Sequence, residues 1–137
     1  VADSPGFSGG LSGVEAGLRA AADPPLGVVV VAWDMPFVSR AVISALIETA
    51  RSTHASAVVP TSRSPHGIEP FCAWYSARLL PRLQEAVATS PVAAHAFLRS
   101  LDDLEVIEPQ GVDPDIAFLS VNTDDDLVRA RRIADAL

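Results

Sequence analysis

The sequence predicts an α/β fold with a largely parallel sheet, and three observations carry that prediction. Val28 to Val31 with Ala32 form a short run of small apolar residues, four of them β-branched. Such a run reads as a strand buried on both faces, the pattern of a central parallel strand. Runs of this kind alternate along the chain with segments of helical periodicity, which is the signature of α/β architecture. The first run also ends in Asp34-Met35-Pro36, so a carboxylate stands at a strand's carboxyl end, the edge of an open α/β sheet where ligands bind. Pro36 cannot donate to a ladder and biases the residue before it towards extended geometry, which stops the strand there. From position alone, Asp34 reads equally well as a binding carboxylate and as a cap on the helix that follows.

Composition bounds the rest. At 137 residues the chain is one domain able to bury a core without staples. With 49% hydrophobic and 20% charged residues it is expected to be globular and not disordered. A net charge of −7 argues against general nucleic-acid binding, which relies on a basic face. It admits a phosphorylated small ligand where a metal ion or local basic groups neutralise that ligand. One cysteine cannot make an internal disulfide, which suits a reducing compartment. No apolar run approaches the ~18–20 residues of a membrane span, and no signal-peptide pattern opens the chain. A cytoplasmic location with no membrane partner is therefore expected.

Residues 1–10 hold three glycines, two serines and a proline and read as a loop, with Asp3 either a ligand-binding carboxylate or a turn residue. Gly9-Gly10-Leu11-Ser12-Gly13 opens a helix predicted over 11–22, with Leu11, Val14, Leu18 and Ala21 on one face. A glycine-rich helix start exposes backbone N–H groups that suit an anion or a ribose, although glycines also simply permit a tight turn. Asp23-Pro24-Pro25 ends that helix, and the Val28 strand follows. Ser39 has the chemistry of an N-cap for a helix over 40–53, its apolar face carried by Val42, Ile43, Leu46 and Ile47. A second buried strand is predicted over 56–60. The polar stretch 61–68 reads as an exposed loop whose Arg63 and His66 either meet a phosphate or are simply solvated.

A third strand is predicted over 69–75, then a helix over 77–88 with Pro81 tolerated in its first turn. Cys72 lies mid-strand between bulky neighbours and reads as a small core residue, not a nucleophile. A helix over 92–101 precedes a strand over 104–107, and a turn-rich link leads to a last strand over 116–121, which is expected to lie antiparallel to the 104–107 strand at an edge. Asn122-Thr123-Asp124-Asp125-Asp126 is a ready helix start: Thr123 caps it, and the carboxylates complement the dipole without needing a metal. Arg129, Arg131 and Arg132 follow towards the helix's C-terminal half. No zinc-ligand spacing, nucleophile elbow, Walker loop or complete dinucleotide fingerprint is present.

Four pieces stand in a telling order: Gly9-Gly10-Leu11-Ser12-Gly13, Asp34-Met35-Pro36-Phe37, Glu69-Pro70-Phe71-Cys72-Ala73-Trp74-Tyr75, and Phe118-Leu119-Ser120-Val121-Asn122-Thr123-Asp124-Asp125-Asp126-Leu127. In order and spacing, over essentially the whole chain, this resembles the molybdenum cofactor guanylyltransferase family. The resemblance implies a three-layer, mostly parallel sheet of the nucleotide-diphospho-sugar transferase (Rossmann-like) type. It also implies transfer of GMP from GTP to molybdopterin with release of pyrophosphate, and Mg²⁺ as cofactor. Carried over residue by residue, Asp34 matches the catalytic, magnesium-binding aspartate. Asp3 matches a carboxylate near the nucleotide, and Gly9 and Gly13 match the loop against it, with Gly10 where proline is usual and Ser12 where alanine is usual. Glu69 and Asn122 fall on the segments facing molybdopterin. Trp33 stands where a small residue or cysteine is typical, a departure that leaves open whether the metal site keeps its space.

The family's opening strand, glycine-rich phosphate loop and lysine do not lie in this chain. The resemblance therefore implies a single nucleotidyltransferase-like domain over 1–137, truncated at its N-terminus. GTP and molybdopterin are the implied partners, together with other proteins of molybdenum cofactor biosynthesis. Two further readings stand beside this one: another NTP transferase of the same fold, acting with CTP on molybdopterin or with an NTP on a sugar phosphate, and a non-catalytic binding module that kept the sheet. Met35 favours the guanylyl branch, since the cytidylyl relatives tend to carry glutamine there.

Overall fold

Side chains alternate between the two faces of a strand, and the strands of this protein use both faces. In the computed structural model, which describes residues 10–21, 26–89 and 92–137, four strands form one sheet: β1 (Gly27–Val31), β2 (Ala57–Pro60), β3 (Cys72–Ser76) and β4 (Leu104–Ile107). Their spatial order is β1-β3-β2-β4. The helices are α1 (Gly10–Ala20), α2 (Arg40–Ser52), α3 (Leu80–Thr89), α4 (Ala94–Arg99), α5 (Pro114–Ala117) and α6 (Asp124–Ala136). On one face, Ala57, Val59, Ala73 and Tyr75 pack against Leu11, Val14 and Leu18 of α1, Leu83 of α3, and Phe97 and Leu98 of α4. On the other, Val58, Cys72 and Trp74 meet Val42 and Leu46 of α2, Ala117 of α5 and Met35. The architecture is α/β in three layers, as expected.

The local signals hold. Ser39 caps α2, its hydroxyl accepting from the Val42 N–H at 3.5 Å. Thr123 caps α6 in a reciprocal box with Asp126, and Cys72 is fully buried. The Pro81 helix starts later than expected, because residues Ala77–Leu79 form a 3₁₀ turn first. The arginines of α6 occupy its middle, and its last turn holds no basic residue.

Three expectations are corrected. The sheet is not mostly parallel in its pairing: β1 with β3 and β2 with β3 are antiparallel, and only β2 with β4 is parallel. The chain passes from β2 to β3 without a helix, through a loop closed by the Thr61–Ile68 bridge. Such a link returns a strand antiparallel, whereas a parallel pair needs a longer crossover. Nor is β1 central. Among the described residues it lies at a sheet edge, half-buried, with Val31 40% exposed. Finally, no strand forms over 116–121, so β4 has no antiparallel edge partner there. Asp113 caps the short helix α5 instead, its carboxylate accepting from the Asp115 N–H at 2.9 Å, with Pro114 in the first helical position. Proline's fixed φ suits that position and its missing N–H costs nothing there.

The core of the α2 layer is sensitive to truncation. Leu46 is wholly buried, so Leu46→Ala is expected to lower unfolding stability by about 2–5 kcal/mol through lost transfer energy and a residual cavity. Val128→Ala, on the exposed side of α6, is expected to stay within about 0.5 kcal/mol. Urea denaturation of the two variants checks the contrast.

Candidate functional site

Because β1, β2 and β4 share one direction, their carboxyl ends fall on the same sheet edge, and the antiparallel β3 starts there. Three backbone bonds stitch that rim together. The Ala32 N–H donates to the Phe71 carbonyl at 2.7 Å, Glu69 N–H to Pro60 at 3.0 Å, and Thr61 N–H to Ile107 at 2.8 Å. Asp34, just past β1, and Glu69, just before β3, are thereby brought to one edge from opposite strand ends.

The segment between α5 and α6 crosses this edge and takes hold of Asp34. The Val121 N–H donates to the Asp34 carbonyl at 2.9 Å. The Ser120 hydroxyl donates to Asp34 Oδ2 at 2.7 Å, and the Asn122 side-chain amide donates to Ser120 Oγ at 2.7 Å. Asn122 is fixed in turn, because its N–H and that of Thr123 donate to Asp126 Oδ2 at 3.0 and 3.1 Å. These bonds from Asn122 and Thr123 hold the Asp126 carboxyl below the usual range.

Electrostatically the edge is strained by like charge. Burial, and secondarily the Asp34 carboxylate, push the Glu69 carboxyl up to about 7. Burial and then Glu69 push the Cys72 thiol up to about 11, so it stays protonated and inert. The same two causes raise the Tyr75 phenol, whose hydroxyl donates to the Pro70 carbonyl at 2.6 Å. A divalent cation beside Asp34 and Glu69 would relieve the repulsion. The donors gathered here are all oxygens or amides, the hard set that suits Mg²⁺, an ion bound through one or two carboxylates and completed by water and substrate phosphates. Among the described residues no cluster of three histidine, cysteine or acidic side chains could hold a metal. Asp34 and Glu69 are the two carboxylates of that hard donor set at this edge.

Of the residues singled out from sequence, Asp34, Glu69 and Asn122 are brought to this edge. Asp3 and Gly9 lie outside the described residues. Gly13 sits in the first turn of α1 and not in a loop. The neighbouring Gly10 has a plain steric role: a Cβ there would overlap the Phe71 ring, so glycine lets β3's approach lie against the start of α1. Trp33 shares the lining of one groove with Asp34. It is 94% exposed, and that apolar groove of about 360 Å³ also takes in Phe37, Val121 and Leu127. Arg63 pairs with Asp115 at 2.8 Å and lines a cavity of about 270 Å³ with Glu69, Ser120 and Arg129. His66 stacks on His95, centroids 3.5 Å apart. Ser120 was not foreseen as a site residue. Sequence offered only its place two residues before Asn122, and its contact with Asp34 is visible only in the fold.

The sequence pattern of the MobA-like NTP transferase domain matches residues 1–104. A crystal structure of molybdopterin-guanine dinucleotide biosynthesis protein A from Archaeoglobus fulgidus is similar to this chain, with a TM-score of 0.82 and 26% identity. The similarity covers 100% of this chain and 68% of that one. No curated protein matches the chain significantly.

The raised Glu69 carboxyl makes folding pH-dependent. Between its ordinary value of 4.5 and about 7, the folded state keeps a proton that the unfolded state has lost. Stability therefore falls as pH rises through that window. With chelator present, thermal denaturation from pH 5 to 8 is expected to show this fall in the wild type. Glu69→Gln is expected to flatten it, and equal slopes in the two proteins would contradict the assignment.

Proposed function

This chain belongs to the MobA-like NTP transferase domain family, and from that premise we propose that it transfers GMP from GTP to molybdopterin, releasing pyrophosphate. It is a nucleotidyltransferase with the fold of that family, which narrows the chemistry to attack on a nucleoside triphosphate. The observation that carries the finer reading is the Asp34 carboxylate, clamped by Ser120 and set beside Glu69 where the parallel strands end.

A phosphate oxygen of molybdopterin attacks the α-phosphorus of GTP in line. The new P–O bond forms as the bond to the bridging β-phosphate oxygen breaks, and pyrophosphate carries that electron pair away. When bound, Mg²⁺ supplies positive charge to the phosphate oxygens, which an acidic domain otherwise disfavours. Asp34 holds that ion, and Glu69 offers a second carboxylate to it. Gly13, in the first turn of α1, is assigned to the nucleotide on sequence likeness, as are Asp3 and Gly9. The acceptor is assigned to the cavity beside Glu69, where Arg129 complements an anion and Arg63, paired with Asp115, lines the wall, with Asn122 behind it through Ser120. Among the described residues no helix is long and apolar enough to cross a membrane. We place the reaction in the cytoplasm, alongside other proteins of molybdenum cofactor biosynthesis.

Calorimetric titration of GTP, then CTP, into the natural protein with Mg²⁺ tests this reading. Magnesium-dependent binding that prefers GTP is expected. Asp34→Asn is expected to lower turnover by about 100-fold, the scale of losing one electrostatic stabiliser. Preference for CTP would move the assignment to cytidylyl transfer. Absence of nucleotide binding would leave a binding module of the same fold.

A further inference from the structure

We propose that Ser120, backed by Asn122, is a positioning residue that commits one oxygen of the Asp34 carboxylate and so sets which divalent cation Asp34 accepts. The inference rests on the reading of Asp34 as a metal ligand and adds a determinant of metal choice to it.

The direction of each bond is fixed by chemistry. An asparagine Nδ2 only donates, so Ser120 Oγ accepts from it, and the single hydroxyl proton of Ser120 is turned onto Asp34 Oδ2. The Ser120 bond, at 2.7 Å, has the length of a charge-assisted O–H···O⁻ contact, and donation into Ser120 polarises its own donation onward. The relay does not swing freely, because the Asn122 N–H is tied to Asp126 and the Val121 N–H to the Asp34 carbonyl. Consecutive residues thus grip Asp34 at its backbone and at its carboxylate, across 86 positions of sequence between Asp34 and Ser120.

A carboxylate with Oδ2 engaged in this way offers Oδ1 to a cation and resists chelating it through both oxygens. Mg²⁺ asks for single oxygens at about 2.0–2.1 Å in octahedral array, whereas Ca²⁺ readily takes a carboxylate through both oxygens at greater length. The Ser120 bond therefore favours Mg²⁺ over Ca²⁺ at Asp34. Without it the carboxylate is free to rotate and chelate, so overall affinity for small cations falls and the preference relaxes.

The test uses Mn²⁺ alone as probe, followed by electron paramagnetic resonance in the natural protein and displaced in turn by Mg²⁺ and Ca²⁺. Ser120→Ala is expected to weaken Mn²⁺ binding by about tenfold or more, the usual scale for losing a partner of a metal ligand. It is also expected to lower the Mg²⁺-over-Ca²⁺ preference. Ser120→Thr keeps the hydroxyl and is expected to restore the wild-type ratio. Asn122→Ala, which leaves Ser120 in place but frees its rotor, is expected to shift the ratio the same way by less. A merely structural role would leave the ratio unmoved. If Asp34→Asn abolishes Mn²⁺ binding while Ser120→Ala and Asn122→Ala keep the wild-type preference, the relay is overturned and Asp34 stands as ligand. Mn²⁺ binding that does not depend on Asp34 would overturn the metal reading and the relay together.

Discussion

The antiparallel insertion of β3 between β1 and β2 is the constraint on which the rest of the molecule depends. All five of its residues are buried, and it is hydrogen-bonded on both edges. Alternation sends Ala73 and Tyr75 into the layer of α1, α3 and α4, and Cys72 and Trp74 into the layer of α2. One strand therefore joins both cores. Its direction matters as much as its burial. Running against its neighbours, it begins where they end, so the residues leading into it, Glu69 to Phe71, arrive at the edge where Asp34 leaves β1. A parallel strand in that place would have delivered Glu69 to the opposite end of the sheet. The Tyr75 hydroxyl, bonded to the Pro70 carbonyl, pins the approach to the strand itself, and the Phe71 ring packs over Gly10 of α1.

What could be read from the residues was what the chain decides locally. Ser39 and Thr123 announce their helices because a cap is made with an N–H two or three positions away. The valines of β1 and β2 declare strands by their branching. Strand order and direction were not legible in the same way, because pairing joins residues far apart, and the bare β2–β3 loop was the single local hint of antiparallel return. Residues 116–121 misled for a related reason. Their apolar run suits a strand, but Asp113 and Pro114 start a helical turn that takes in Ile116 and Ala117, and beyond it the Val121 N–H bonds to the Asp34 carbonyl in place of a ladder. In the candidate site, Asp34 was legible from the end of its strand, and Glu69 and Asn122 from family likeness. Ser120 was not, since its role exists only through a contact with a distant residue.

The electrostatics of the domain and of the site have one logic. An acidic chain that buries Glu69 near Asp34 concentrates like charge at the edge proposed above to receive a triphosphate. Arg63, close by, is engaged with Asp115, so little of the local basic charge is uncommitted. A site of this kind repels a bare polyphosphate and attracts a cation. It is suited to the two together, the cation cancelling the charge that would exclude the polyphosphate.

The bond between Ser120 and Asp34 also has a consequence for the birth of the molecule. A ribosome delivers residues in order, at about 5–20 per second, and what has emerged can begin to fold. Every strand of the described sheet is complete by Ile107, before Ser120 has been made. Nascent chains can therefore bury their core while Asp34 still lacks the partner that orients it. Closing so long a loop comes late in folding, since distant contacts are entropically the most demanding. The orientation of the Asp34 carboxylate is thus completed after the sheet, and a chain that stops short of Ser120 has a sheet but lacks the hydroxyl that orients that carboxylate.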